Sequence, residues 1–574
     1  MPQQARQIYE FGPFRLDPTE RVLSRAGRPV SLTPKAFDVL LLLLRSSGRL
    51  VKKSEFMTMA WADSFVEESN LTVTISMLRK ILEGESHDYR YIETVSKLGY
   101  RFVGPVGAIL EASKINSLAI LPFRYSTPDS SYSYLKIGLV DAIISRLAGT
   151  GRLVVRPTSA VLRYENRDVD PMVVAREQKV DAVVTGNIEI SSGRIRVSVQ
   201  LIRAEDGDLT TAMTYERDLQ EIFALEDAVA EGVSQSTVSA ATREKSGDVI
   251  LPRRHTENSR AYRLYLEGRY FWNKRTADGL RRGIDCFQRA IEEDAAYTLA
   301  YSGLADSYVL LASHGAQSPF ESSPIAKKAA LQALKLDSSL AEAHTSLGMV
   351  YHYYDWSWEE AEREFQTAIG LNPNYIVSRM WYASNLASLG RLQEALFQTA
   401  QAEELDPLSL AVYIKRGRLH YWMRDYEGAI SAYSRVTGLD SGYARAHTRL
   451  GMVYAATGEF DKAITEFKRA KELSGADPYL DGFLGYAHAR LGKRAMARKA
   501  VEQLSERSQR EYIPAFCSAL IHVGLEETDQ ALHGLEKAHE DRSAYMVFAK
   551  VEPLLDQIRE EPRFQKLLNK MRLG

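Results

Sequence analysis

Residues Ala444 to Leu473 read ARAHTRLGMVYAATGEFDKAITEFKRAKEL, and this stretch organises half the chain. Gly451 and Ala463 are small residues placed where two helices close on each other. They return with a period of 34 residues. Ala361, Ala395, Ala429, Ala463, Ala497 and Ala531 keep one register, and Gly417, Gly451 and Gly485 keep the other, with Ala383 and Ala519 in phase. Such a period predicts stacked helix–turn–helix units. Pro373 and Pro407 close two units, because proline cannot continue the hydrogen-bond ladder. Two earlier units carry Gly283, Phe287 and Ala290, then Ala326, Ala330 and Ala333, the second with a lengthened loop, SHGAQSPFESSP. Eight units are expected from about Ser259 to Glu540, inside an array spanning 259–574. The tail VEPLLDQIREEPRFQKLLNKMRL is apolar on one face and is expected to cap the stack.

This pattern resembles the tetratricopeptide repeat family. The resemblance implies an all-α superhelix that binds partners and catalyses nothing. It also implies that positions two, five, nine and twelve of each first helix face a concave groove. Those positions include Met349, His352, Met380, Arg418, Tyr421, Met452, Tyr479 and Tyr486. A partner peptide or helix is the expected occupant. The other reading is that several of these residues pack between repeats or against the middle of the chain.

The first hundred residues have a different texture. QIYEFGPFRL (7–16) reads as strand, and RVLSRAG follows with a turn. In SLTPKAFDVLLLLLRSSGRLV, Ser31 or Thr33 suits a helix cap, Pro34 the first turn and Gly48 the end. A short helix is expected over Lys53 to Ala60 and a longer one from about Glu68 to Glu83, with Leu71, Ile75, Leu78 and Leu82 as its core stripe. Strands are expected around YIETVSKLGYRFVG.

Leu32-Thr33-Pro34-Lys35, Phe37, Val66, Leu78-Arg79-Lys80 and the segment from Ile92 through Phe102 resemble the OmpR-type winged helix. Residues 1–105 are thereby expected to form an α+β winged-helix domain that binds double-stranded DNA, its third helix entering the major groove. Asn70, Thr72, Val73, Ser76 and Met77 are the candidate base-facing residues. Arg79, Lys80, Lys97 and Arg101 are the candidate contacts to phosphate or minor groove. Many relatives place arginines where this chain has Ser76 and Met77, which argues against a bidentate guanine contact from those positions. Residues 1–105 hold 15 Lys and Arg against 12 Asp and Glu, while the whole chain has a net charge of −1. Any DNA-binding surface is therefore local, and one copy should bind weakly and with strong salt dependence.

Between the two regions, after a linker at 106–116, residues 117–242 alternate strand and helix, and a second linker is expected at 243–258. SLAILPF, RLVVRP, DAVVTGNIEI and RIRVSVQLIRAEDG read as strands, with SSG as a hairpin signal. Leu121-Pro122-Phe123, Gly138-Leu139, Asp181 to Gly186 and Ile222 to Leu225 resemble the TolB amino-terminal-like domain, which implies a small α/β fold. Arg194 and Arg196 read as a solvated strand face.

HExxH, GxSxG, a Walker A loop, CxxC and an EF-hand loop are all absent from the sequence. No enzyme, cofactor or metal site is expected, and Cys286 and Cys517 read as helix-packing residues. The densest apolar run, Val39 to Leu44, is far short of the roughly 20 residues of a membrane span. With no apolar leader at the start, the expectation is a cytoplasmic bacterial protein. These readings converge on a one-component, sequence-specific transcription regulator whose repeats receive a signal from a protein. RNA polymerase and a second copy of the chain are further candidate partners. The competing reading is a repeat scaffold whose winged helix docks proteins rather than DNA.

Overall fold

A computed structural model describes residues 6–60, 68–83, 90–111, 115–126, 132, 134–148, 153–165, 167–239, 255–475 and 477–574. The chain forms two compact units, one built on residues up to Ile115 and the other on most of the remainder.

The first unit opens with strands β1 (Arg6–Phe11), β2 (Phe14–Asp17), β3 (Val22–Arg25) and β4 (Arg28–Val30). Helix α1 (Pro34–Arg45) follows, its N-terminus capped by Thr33, whose hydroxyl accepts from the Ala36 amide. After β5 (Leu50–Lys52) come α2 (Lys53–Ala60), α3 (Glu68–Glu83) and the hairpin β6 (Ile92–Val95) with β7 (Gly99–Phe102). The apolar run of α1 and the α3 stripe Leu71, Ile75, Leu78 and Leu82 bury one shared core. Phe11, Phe14, Tyr91 and Phe102 close it, with ring centroids as near as 5.3 Å. Part of the expected linker at 106–116 is strand. β8 (Gly107–Glu111) pairs antiparallel with β1 and completes a five-stranded sheet in the order β4-β3-β2-β1-β8.

The second unit begins with an α/β layer. Its strands are β9 (Ser117–Ile120), β10 (Arg124–Tyr125), β11 (Val154–Val155), β12 (Ala182–Ser191), β13 (Arg194–Arg203) and β14 (Leu209–Asp218). Its helices are α4 (Leu135–Ala148), α5 (Thr158–Val161), α6 (Pro171–Gln178) and α7 (Ile222–Ser239). β9, β11 and β12 run parallel, and β12-β13-β14 is antiparallel. The turn between β12 and β13 holds Ser192 and Gly193 at φ 50° and 78°, the left-handed pair that a two-residue hairpin needs. Arg194 and Arg196 lie exposed on β13, paired with Glu216.

Eight helix pairs then run from Ser259 to Glu540, each making its largest contact within the pair or with an adjacent pair. The 34-residue period has a direct steric cause. In three units an aromatic residue four positions after the alanine of the second helix fills the space above a glycine of the first helix. Phe365 sits over Gly348, Tyr433 over Gly417 and Phe467 over Gly451. A Cβ at Gly451 would stand 2.5 Å from the Phe467 ring. Gly451→Ala is therefore expected to cost ~1–3 kcal/mol by overpacking, read as a lowered urea midpoint of the second unit's transition. Ala463→Trp overfills the neighbouring contact, where Ala463 is wholly buried, and should cost at least as much. Cys286 and Cys517 are free and buried inside repeat helices. No helix among the described residues is long and apolar enough to cross a membrane.

Candidate nucleic-acid interface and repeat lining

The third helix of the first unit presents the expected outer face. Asn70, Thr72, Val73, Ser76 and Lys80 are exposed, and Val73 is 67% exposed despite being aliphatic. Met77 is only half available, because part of its side chain packs on the core. Lys97 is exposed at the hairpin tip in the left-handed conformation, φ 62°, beside an exposed Leu98. Arg101 is half-buried, 3.7 Å from Glu93, with its Nε enclosed and without a hydrogen-bond partner among the described residues.

Arg79 differs from expectation. Its Nε and Nη2 donate to the Ile92 carbonyl at 3.1 and 2.9 Å, and Nη2 also donates to Thr94 Oγ1 at 2.7 Å. The guanidinium ties α3 to β6 and so fixes the helix against the hairpin. Two of its three nitrogens are engaged in this way, which leaves the side chain less free for the phosphate contact expected from the sequence. Lys80, Lys97 and Arg101 remain. Three such contacts correspond to a slope of log affinity against log salt of about −2.7 for one copy. Lys80→Ala should reduce that slope by about 1, and a titration series in potassium chloride checks it.

The expected partner groove is occupied by the chain itself. Met349, His352, Tyr421, Met452, Tyr479 and Tyr486 are buried, and Met380 and Arg418 are partly so. The cover is the carboxy-terminal segment, whose 3-10 helices Ala544–Phe548 and Pro553–Ile558 run back along the inner face. Phe548 stacks on Trp422 at 4.7 Å, and the Arg418 guanidinium lies 4.5 Å over its ring. Tyr545 packs on Tyr479 at 4.5 Å, and Tyr421 donates its hydroxyl to Glu552. Burial raises both the Tyr421 phenol and the Glu552 carboxyl above their ordinary values. Trp358 Nε1 donates to the Met571 carbonyl at 2.8 Å. The tail thus reaches from the eighth pair back to the third, where the sequence suggested a simple end cap. A groove lined by Met349, Tyr421, Met452 and Tyr486 is not open to a partner in this conformation. Burial also drives His352 down to about 3, so its imidazole stays neutral.

The α/β layer docks on the repeats through groups the sequence did not single out. Arg156 donates to the carbonyls of Glu404 and Leu405, both at 2.8 Å, and to those of Gln178 and Lys179. One guanidinium therefore closes the C-terminal ends of α6 and of the repeat helix Leu392–Leu405, where the last carbonyls lack intrahelical partners. Ser159 bonds Asp406 at 3.0 Å, and buried Tyr262 donates to Glu226 of α7. Burial lowers Arg156 from its ordinary value and lifts Asp406 to about 6.

Comparison with known proteins assigns each region. Residues 27–102 match the family model described as transcriptional regulatory protein, C terminal. Residues 113–231, which resemble the TolB amino-terminal-like domain in sequence, match the second domain of HilA/YgeH-like transcriptional regulators. Residues 414–479 match the tetratricopeptide repeat. The transcriptional regulator HilA of Salmonella typhi is 25% identical over 71% of this chain and 72% of its own length. The transcriptional activator CadC of Escherichia coli is 33% identical over 17% of this chain and 20% of its own. The solved DNA-binding domain of E. coli CadC is 31% identical, covering 18% of this chain and all of that one, with a TM-score of 0.17. The chain carries the domain set of a transcriptional regulator: an OmpR-type DNA-binding winged helix, a regulator second domain and protein-interaction repeats.

Proposed function

We propose that this transcriptional regulator is of the one-component type. On this reading it recognises a specific duplex sequence through α3, and its second unit receives the signal. The observation that supports it most is the exposed, largely uncharged strip Asn70, Thr72, Val73 and Ser76, held by Arg79 against a hairpin whose tip carries Lys97. A strip of this kind discriminates bases through hydroxyl hydrogen bonds and thymine methyl contacts, with lysines supplying sequence-independent attraction. Because the base-reading strip lacks arginine, useful affinity needs two winged helices on adjacent half-sites. We therefore include self-association through the second unit, with RNA polymerase as a further protein partner.

The test is a gel-shift titration of the full chain against fragments from its own upstream region, at low and at physiological salt. One retarded fragment that survives competitor DNA supports the reading, and steep concentration dependence supports pairing. Retardation of all fragments equally, or of none at low salt, would overturn sequence-specific binding and favour a winged helix that docks proteins.

A further inference from the structure

The second unit holds a partly open cavity of about 1780 Å³, lined by the first helices of the repeats, the ends of the α/β layer and the tail residues Tyr545 and Phe548. Its lining holds ten lysines and arginines against six carboxylates, and the two signs are treated differently. Five of the six carboxylates are engaged: Asp141 with Thr158 and Arg269, Glu226 with Tyr262, Asp337 with Ser339, Glu511 with Arg507, and Asp477 as a helix cap, while burial raises the sixth, Glu342. Lys274 lies over aromatic rings and Arg281 on the Ala316 carbonyl, and six further basic groups have no ion-pair partner among the described residues. Lys415 and Arg418 stand on helix Leu410–Trp422, Arg445 and Arg449 on helix Ala444–Ala456, and Arg275 and His314 just past the first helices of the first two pairs.

Among the described residues none of these six is ion-paired. Lys415 donates to Ser384 Oγ, and Arg449 donates to Tyr545 Oη at 2.9 Å. Arg418 lies over the Trp422 ring, Arg275 over Trp272 at 3.4 Å, and Arg445 Nη2 is 2.7 Å from His314 Nε2. Neutral rings and hydroxyls are their direct partners, and countercharge reaches them only beyond ion-pair distance, from Glu552 toward Arg418 and Arg449 and from Asp306 toward Arg275. Like charges gathered in a confined space repel, and the buried ones are costly to desolvate. Burial, then Arg418 and Arg449, push Lys415 well below its ordinary value. Burial, then Arg445 and Arg275, do the same to His314.

The repeat register shows how the cluster is built. Trp381, Lys415, Arg449 and Phe483 are spaced by 34 residues and all line the cavity. They form a ladder along the inner face, aromatic at both ends and cationic in the middle. Guanidinium forks match phosphate oxygens in pairs, and an ammonium adds a point charge. The space far exceeds an inorganic ion and suits a ligand the size of a nucleotide or larger.

We propose that this cluster is a binding site for a small phosphorylated ligand, held by Lys415, Arg445 and Arg449 with Trp381 beside it. Free oligophosphate and nucleotide share the required chemistry. Because Tyr545 and Phe548 complete the wall, the ligand would also brace the returning tail, which makes the cavity a place where a metabolite signal can enter a regulator.

The full chain is titrated calorimetrically, without magnesium, with inorganic tripolyphosphate, ATP, adenosine and a tetraglutamate peptide. ATP or tripolyphosphate should bind with a Kd of about 100 μM or tighter, and adenosine and tetraglutamate should not. Arg445→Gln and Lys415→Met should each weaken binding at least tenfold, by about 1.4 kcal/mol. Arg445 is exposed, and Lys415→Met puts an apolar chain in place of a buried cation, so the empty Tm should hold or rise in both. Tighter binding of ATP than of tripolyphosphate assigns Trp381 to the base, and equal binding assigns a phosphate site alone. Either result supports the site. Failure of both phosphates to bind, indifference of binding to both substitutions, or preference for tetraglutamate would overturn it.

Discussion

Phe548→Ala is expected to destabilise the second unit by about 3–5 kcal/mol, the range for deleting a buried aromatic side chain. Phe548 is 3% exposed and is the hub of the returning tail. It stacks on Trp422 at an interplanar angle of 27° and meets the rings of His352 and Tyr353. The Arg418 guanidinium lies over it. Removing the ring exposes Trp422, strips one face from a cation already lowered to about 10 by burial and by Arg449, and loosens the Tyr421–Glu552 contact four residues on. These losses fall on separate repeats, so the substitution should also broaden the urea transition, because the tail is what ties the third, fifth and seventh pairs together. Lys550→Ala, a half-buried neighbour, is the control and should change stability by less than about 0.5 kcal/mol. A loss below 1 kcal/mol for Phe548→Ala would mean that the tail rests on the repeats without supporting them.

The same tail marks where sequence reading ends. Local signals were legible. Thr33 and Pro34 predict the start of α1, the Leu71 stripe predicts α3, and in-register alanines predict eight repeat units, because each depends on residues within about one turn or one repeat of each other. Strand β14 escapes such reading because TTAMTYER is mostly polar and buries nothing fully along its length. β8 escapes because its pairing with β1 joins residues about a hundred positions apart. The groove residues carried the right register and the wrong environment. Repeat geometry points Tyr421 and Tyr486 inward, but nothing near them in sequence says that Glu552 and its neighbours fill that space. Arg79 is similar: helical spacing gives its approximate face, and only the fold gives the Ile92 carbonyl that holds it. The ladder from Trp381 to Phe483 lay in the sequence at the 34-residue period, and its meaning depends on which charges the fold brings to face it.

Val73→Glu is expected to reduce DNA affinity more than a hundredfold, about 3 kcal/mol, with the fold intact. Val73 is 67% exposed on the face of α3 opposite Leu71, Ile75 and Leu78, so it contributes little to the core. Glutamate is a slightly better helix former than valine, and a substitution at so open a position should move stability by no more than about 0.5 kcal/mol. In the groove the effect is large for two reasons. A carboxylate there loses water without a donor to replace it, and it places a negative charge within the phosphate field that Lys80 and Lys97 are there to balance. Arg79→Ala separates the two ways of losing affinity. It removes three hydrogen bonds to β6, so it should lower both the Tm, by about 1–3 kcal/mol of stability, and the affinity. Val73→Glu should lower affinity alone. Fluorescence anisotropy on one operator at fixed salt, beside a thermal melt of each variant, distinguishes them. Unchanged DNA binding by Val73→Glu would place the base-reading surface elsewhere than on α3.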